Sequence, residues 1–331
     1  MGDVAMTVPV LKALVFQYPD VKITVVSRPF FKPFFNNIPN VSFFGIDVNQ
    51  RHKGFLGLLR LFSDLQKLNI DAVADLHNVI RSKAIRKGFI LLGKKVAASN
   101  KGRAEKKALT QAKSKVFKPL KTMFEVHCDT FAKLGFKINL NNTSFPEKVN
   151  LSHKINAIIG VNDKKLIGIA PFAQYESKVY PQDLMQEVID GLANNEDFKI
   201  LLFGGGKQEI EILNTFAKSH ENVINIAGKV TFQEELDLIS NLDIMLSMDS
   251  GNAHIAAMFG VKTITLWGAT HPFAGFSPFK QPLENAIVSN REKYPFLPTS
   301  VYGNKIVVGY KDVMKTILPE TVVNKIKKEL N

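Results

Sequence analysis

LDIMLSMDSGNAHIAAMFGVKTITLW, residues 242–267, is the stretch whose reading decides the fold. Ile244, Met245, Leu246 and Ser247 form an apolar run of strand length. The run breaks at Asp249-Ser250-Gly251. Helical spacing then carries Ala253, Ile255, Ala256, Ala257 and Phe259, and Gly260 ends it. Residues 262–267 read as a second buried strand. Strand, turn, helix and strand in this order predict one unit of a parallel α/β sheet. In such sheets ligands sit outside the carboxyl ends of strands. Free amides and the helix dipole favour an anion there. Asp249, Ser250, Gly251 and His254 occupy that place. Each also has a plain structural reading: a helix cap, a tight turn, a satisfied half-buried histidine.

Working outward, the same alternation fills the chain. In the first half, strands are predicted at 22–27, 41–46, 71–76 and 94–98, and helices at 7–16, 54–67, 79–92 and 124–134. The loop 28–39 is rich in Phe and Pro. Residues 100–119 read as a mobile basic loop or a surface helix, and 139–150 as a linker. In the second half, strands are predicted at 165–171, 199–203, 223–226, 244–247 and 262–267. Helices are predicted at 182–193, 208–217, 232–241 and 321–330. Two domains are expected, 1–150 and 151–331.

Composition narrows the function classes. The chain has 331 residues, 45% hydrophobic and 22% charged, as in an ordinary globular protein. Its one cysteine, Cys128, excludes an intramolecular disulfide and a zinc cluster of cysteines and fits a reducing compartment. No run is apolar enough for a membrane span, and no signal peptide is visible, so a cytoplasmic location is expected. Charge is uneven: residues 1–150 carry 25 Lys and Arg against 10 Asp and Glu, and the remainder 18 against 20. Within 81–121 there are 14 basic residues and a single acid, Glu105. Such a field attracts phosphates, anionic lipid or nucleic acid. No aromatic-interleaved RNA motif or zinc-finger spacing accompanies it, so a nucleic-acid partner is not expected.

Four blocks stand in one order along the chain: Gly2 to Pro9 (GDVAMTVP), Lys178-Val179-Tyr180-Pro181, Phe203-Gly204-Gly205-Gly206 with Glu209, and DSGNAHIAAMFGVKTITLWGATHP from Asp249. Together they resemble glycosyltransferase family 9, the ADP-heptose:lipopolysaccharide heptosyltransferases and their relatives. The resemblance implies a GT-B fold, two Rossmann-like domains with parallel sheets facing across a cleft. It implies an inverting transfer of heptose or a related sugar from a nucleotide-sugar donor to a lipopolysaccharide core acceptor. In the family a buried strand precedes the glycine–aspartate pair. That strand is absent from this sequence, which raises the expectation of residues upstream of Met1.

The resemblance implies that Asp3 deprotonates the acceptor hydroxyl. Lys178, after a strand end and before Pro181, is expected to face the donor's diphosphate. Ser250 and Gly251 offer it amides, and His254 donates to the same oxygens. Asp249 is expected to brace the turn or bind a donor hydroxyl, since carboxylate and phosphate repel. The glycine run lacks P-loop spacing, because Leu201 and Gln208 stand where that motif needs Gly and Ser or Thr. Gly205 is expected to let the backbone approach the nucleoside, with Glu209 near ribose or base. No Asp-x-Asp occurs, so neither a metal nor another cofactor is expected. Lys101, Arg103, Lys106 and Lys107 are expected to meet an anionic glycolipid acceptor, with peripheral contact to the inner membrane. The alternative is a non-catalytic protein that binds a nucleotide sugar or a polyanion.

Overall fold

The computed structural model describes residues 1–160, 163–305 and 307–330. They form two compact units. The first comprises Asp3–Gly102 and Lys121–Ser144 with Met1; the second comprises Arg103–Leu120 and Phe145–Asn331 with Gly2.

The first unit opens with α1 (Gly2–Ala5), whose Gly2 groups with the second unit, and α2 (Thr7–Gln17). Val10, Leu11, Leu14 and Val15 are buried in α2 as their spacing predicts, and Val8, Pro9 and Ala13 are buried as well, so the helix is covered on nearly every side. Then come β1 (Ile23–Ser27), β2 (Val41–Gly45), α3 (Gly54–Gln66), β3 (Ala72–Asp75), α4 (Ile80–Leu91) and β4 (Lys95–Ala98). The Phe- and Pro-rich loop folds as a 3-10 turn, Pro29–Phe35, that buries Phe34 and Phe35 and leaves Phe30 exposed. β1 pairs in parallel with β2, and β3 with β4, as two separate two-stranded sheets. α3 and α4 interlock through an edge-to-face pair, Phe62 on Phe89, with centroids 5.2 Å apart. A Cβ at Gly88 would stand 2.5 Å from the Phe62 ring, so glycine is what permits this approach.

From Arg103 to Leu120 the basic segment joins the second unit. Its helix α5 (Arg103–Thr110) buries Leu109, and the irregular strap that follows is tied down at several points. Lys115 Nζ donates to Pro298 O at 2.8 Å, and Leu120 N to Phe273 O at 2.9 Å. The chain then returns to the first unit for α6 (Met123–Ala132), which begins in a reciprocal cap between Thr122 and Glu125. It leaves again at Ser144, inside the predicted linker 139–150.

The rest of the second unit is α7 (His153–Ile159), β5 (Lys165–Ala170), α8 (Gln182–Ala193), β6 (Phe198–Leu202), α9 (Lys207–Phe216), β7 (Val223–Asn225), α10 (Phe232–Ser240), β8 (Ile244–Met248), α11 (Gly251–Met258), β9 (Lys262–Trp267), β10 (Ala286–Val288) and α12 (Pro319–Leu330). Its six strands are all parallel, in the order β10-β9-β8-β5-β6-β7. The chain winds from β5 outward through β6 and β7, then crosses to β8 and winds the other way. The order therefore reverses between β5 and β8. Every residue of β8 is buried, which explains its uninterrupted apolar reading.

One half-buried carboxyl in this unit has no ion-pair or hydrogen-bond partner among the described residues. α10 begins in a reciprocal cap between Thr231 and Glu234, and the next residue, Glu235, is half-buried. Burial pushes its carboxyl up to about 7. In the fold it holds a proton that the unfolded chain has lost, so stability falls as pH rises from the ordinary carboxylate value of about 4.3 toward 7. Glu235→Gln is expected to raise the melting temperature at pH 8 and to leave it nearly unchanged at pH 4. Thermal denaturation at both values checks this; a variant no more stable at pH 8 than wild type contradicts it.

Candidate functional site

The carboxyl edge of the sheet beside the β5–β8 reversal collects most of the residues singled out above. From β5 the chain runs to Lys178, in a 3-10 turn Glu176–Lys178, and Pro181 then caps α8. Tyr180 anchors this loop: its buried hydroxyl donates to Ile317 O at 2.6 Å. The turn is also pinned from the β9 side. Ala269 N donates to Ser177 O at 3.1 Å, and Ser177 Oγ to Gly303 O at 2.7 Å. The stem of Lys178 lies over Gly303, where an added Cβ would meet Lys178 Cδ at 2.4 Å; this glycine's φ of +84° suits no side chain in any case.

Held in this way, Lys178 Nζ lies 3.0 Å from Asp249 Oδ2, with both side chains mostly buried. Thr270 Oγ1 donates to the same oxygen at 2.8 Å. Asp249 is thus the brace of the turn and the counter-charge of Lys178 together. An ammonium has three donors, and this pair occupies one.

Beyond Asp249, Ser250 has extended backbone and precedes α11 as its N-cap residue, yet its side chain does not cap the helix. Its hydroxyl instead lies 3.0 Å from Ser247 Oγ. The first amides of α11, from Gly251 onward, receive no cap from the Ser250 side chain and stand at the positive end of the helix dipole. His254 stands one turn in and is buried. Asn252 Oδ1 is buried and lacks a hydrogen-bond partner among the described residues. One edge therefore joins a cation, helix-start amides and an unused acceptor, which suits an anionic ligand bearing hydroxyls.

Gly205 and Glu209 lie at the end of β6, the neighbour of β5. Gly205 N donates to Glu209 Oε2 at 2.8 Å, so Glu209 closes the start of its own helix. Asp3 is in the first unit, exposed in the first turn of α1. Its charge is felt by His127, a buried ring on α6 whose Nδ1 has no partner among the described residues. Burial brings His127 down to about 4, with Asp3 pulling the other way. Of the four basic residues expected to meet the acceptor, Arg103 and Lys107 are exposed and Lys101 is half-buried. Lys106 is buried, its ammonium 4.3 Å above the Phe276 ring. Reading the sequence missed the roles of Thr270, Asn252 and His127. Thr270 stood in the quoted turn Gly268 to Pro272, but nothing local marks it as a partner of Asp249.

A sequence model of glycosyltransferase family 9 (heptosyltransferase) matches residues 58–305. The chain belongs to glycosyltransferase family 9. It is 25% identical over 338 residues to the lipopolysaccharide core heptosyltransferase OpsX of Haemophilus influenzae, covering 99% of this chain and 94% of that protein. It is 26% identical over 282 residues to lipopolysaccharide heptosyltransferase 3 of Escherichia coli, covering 81% of each. Among solved structures, a glycosyl transferase family 9 protein from Veillonella parvula matches with a TM-score of 0.75 at 19% identity, over 100% of this chain and 94% of that one. The E. coli heptosyltransferase WaaC with ADP matches at 0.65 and 17%, over 99% and 97%. The fold is GT-B, and this family 9 protein is a glycosyltransferase.

The Lys178–Asp249 pair sets a stability test. Removing one partner of a buried pair strands the other charge, which costs about 3–5 kcal/mol. Lys178→Met is expected to lower urea stability by that order, and adding Asp249→Asn should recover much of it. If the double variant is as unstable as the sum of the singles, the two side chains are not coupled.

Proposed function

We propose that this enzyme moves a heptose from ADP-heptose to a lipopolysaccharide core acceptor, with inversion and without a metal. The observation that carries the reading is the edge where Lys178 meets the start of α11. The sugar and acceptor rest on the names of the curated relatives, heptosyltransferases of lipopolysaccharide core.

The chemistry follows from the residues. Charge grows on the diphosphate as the sugar leaves, and fixed donors that need no reorganisation stabilise it most. The amides of Gly251 and its successors, the Ser250 hydroxyl and His254 supply those donors. Lys178 supplies the cation, bridging Asp249 and the diphosphate with its remaining donors; this is the task a divalent metal performs elsewhere. Asn252 Oδ1 accepts from a donor hydroxyl. Gly205 lets the backbone approach the nucleoside, with Glu209 beside it. Asp3 takes the proton of the acceptor hydroxyl, and direct displacement inverts the anomeric centre.

The first half, 1–150, is assigned to the acceptor and the second, 151–331, to the donor, with the strap Arg103–Leu120 carried on the donor side. Lys101, Arg103, Lys106 and Lys107 belong to the field that draws an anionic glycolipid. Among the described residues no helix is long and apolar enough to cross a membrane. α3 nevertheless presents exposed Phe55, Leu56 and Leu59 between Lys53 and Arg60, which suits peripheral contact with the cytoplasmic face of the inner membrane.

Turnover measurements test this directly. Asp3→Asn should lower kcat by ~10²- to 10⁴-fold, the usual worth of one acid–base group, with donor affinity barely moved. Lys178→Ala should weaken the donor instead. Chelator should leave the rate unchanged, and NMR should show a product anomer opposite to the donor's. A folded Asp3→Asn enzyme at the wild-type rate, or activity lost to chelator and restored by magnesium, would sink the corresponding part.

A further inference from the structure

A second cavity in the same unit takes no part in this chemistry. It is an open depression of about 270 Å³ by the edge strand β10, walled by Phe117, His271, Phe273, Leu283, Val288 and Arg291 among others. Phe117 comes from the strap, so a segment far away in sequence completes it.

Its polar groups are aimed by specific bonds. The Arg291 guanidinium lies over the Phe117 ring, its carbon 3.4 Å from the centroid. Arg291 Nε donates to Leu297 O at 3.1 Å, and its two terminal nitrogens have no hydrogen-bond partner among the described residues. His271 Nδ1 accepts from Phe273 N at 3.1 Å, so the proton of the neutral ring sits on Nε2 and makes it a donor. His271 is held neutral, down to about 4, by burial and by Arg291. Lys115 lies behind the wall, its ammonium donating to Leu109 O and Pro298 O, and is brought down to about 8 by burial and by Arg291. Neither Arg291 nor Lys115 has a carboxylate at ion-pair distance among the described residues. The cavity wall thus carries one cation, Arg291, with no counter-charge at ion-pair distance among the described residues. The remaining walls are aromatic and aliphatic, with Phe117 and Phe273 4.9 Å apart.

A guanidinium over an aromatic ring, presenting its fork, is the geometry that reads carboxylate or phosphate in two parallel bonds. Aromatic walls beside it suit the apolar face of a ring. The volume falls just below the ~300–1,000 Å³ of sites for drug-sized ligands, which favours one ring over a nucleotide. We propose that this cavity is an anion subsite, separate from the donor-phosphate edge, that binds a phosphate or carboxylate borne on a single sugar ring, read by Arg291 and His271 and stacked against Phe117 and Phe273.

The test is titration of the wild-type protein, followed by the NMR signals of the His271 ring, with glucose 6-phosphate, glucuronate, inorganic phosphate and neutral methyl glucoside as probes. The two anionic sugars should give saturable shifts in the millimolar range or tighter. Inorganic phosphate should bind more weakly and methyl glucoside not at all. Arg291→Gln should weaken the anionic sugars on the order of 10- to 100-fold, the worth of a charge-assisted bond. Arg291→Lys, which keeps the charge and loses the fork, should weaken them as well. Melting temperatures confirm folding, and Phe117→Leu serves if Arg291→Gln does not fold. Lys178→Ala should leave these shifts unaltered. Absence of saturable shifts, equal binding of methyl glucoside, or full affinity in Arg291→Lys would each overturn the proposal.

Discussion

The ion pair between Lys178 and Asp249 ties together the parts of the second unit that matter for chemistry. Lys178 comes from the loop after β5 and Asp249 from the end of β8, the two strands between which the winding direction reverses. A doubly wound sheet opens a crevice at such a reversal, because consecutive connections leave to opposite faces. Two opposite charges drawn out of water at that place hold both loops in register. Thr270 adds a third strand end, that of β9, through the same carboxylate oxygen. Glycines at 268 and 303 allow the approach: a Cβ on Gly268 would stand 2.4 Å from Ser177 O.

Much of this was legible in the sequence because the stretch 242–267 is punctuated at both ends. Its buried strands read as continuous apolar runs, and Gly260, with a φ of +82°, ends α11 where its position predicts. The helix Gln182–Ala193 and the strand Lys262–Trp267 appear with the predicted bounds, each flanked by a residue that breaks the preceding element. What did not show was tertiary. Asp249 lies far from both Lys178 and Thr270 in the chain, so no local spacing reveals that it serves both. The short helix His153–Ile159 and the brief edge strand Ala286–Val288 carry too few residues for a period to emerge.

The strap was the least legible part. Residues 100–119 are largely Lys, Ala, Ser and Gln, with Leu109 and Phe117 as the large apolar anchors. A composition of that kind reads as solvated surface. The structure instead spends its cations on aromatic faces and carbonyls: Lys106 over Phe276, and Lys115 between Leu109 O and Pro298 O. These contacts are invisible locally because their partners lie near the other end of the chain.

That separation has a consequence for synthesis. Lys115 and its partner Pro298 are 183 residues apart. At the usual pace of translation, about 5–20 residues per second, the strap waits roughly 10–40 s on the ribosome before its dock exists. Through that interval a cationic ribbon hangs from a nascent chain beside ribosomal RNA, its aromatic anchor uncovered. The second unit therefore cannot close behind the first as translation proceeds; its last cover must be recruited backwards from sequence already made. A chain arrested before residue 271 would carry the strap without Phe273 and Pro298, the residues whose carbonyls receive it.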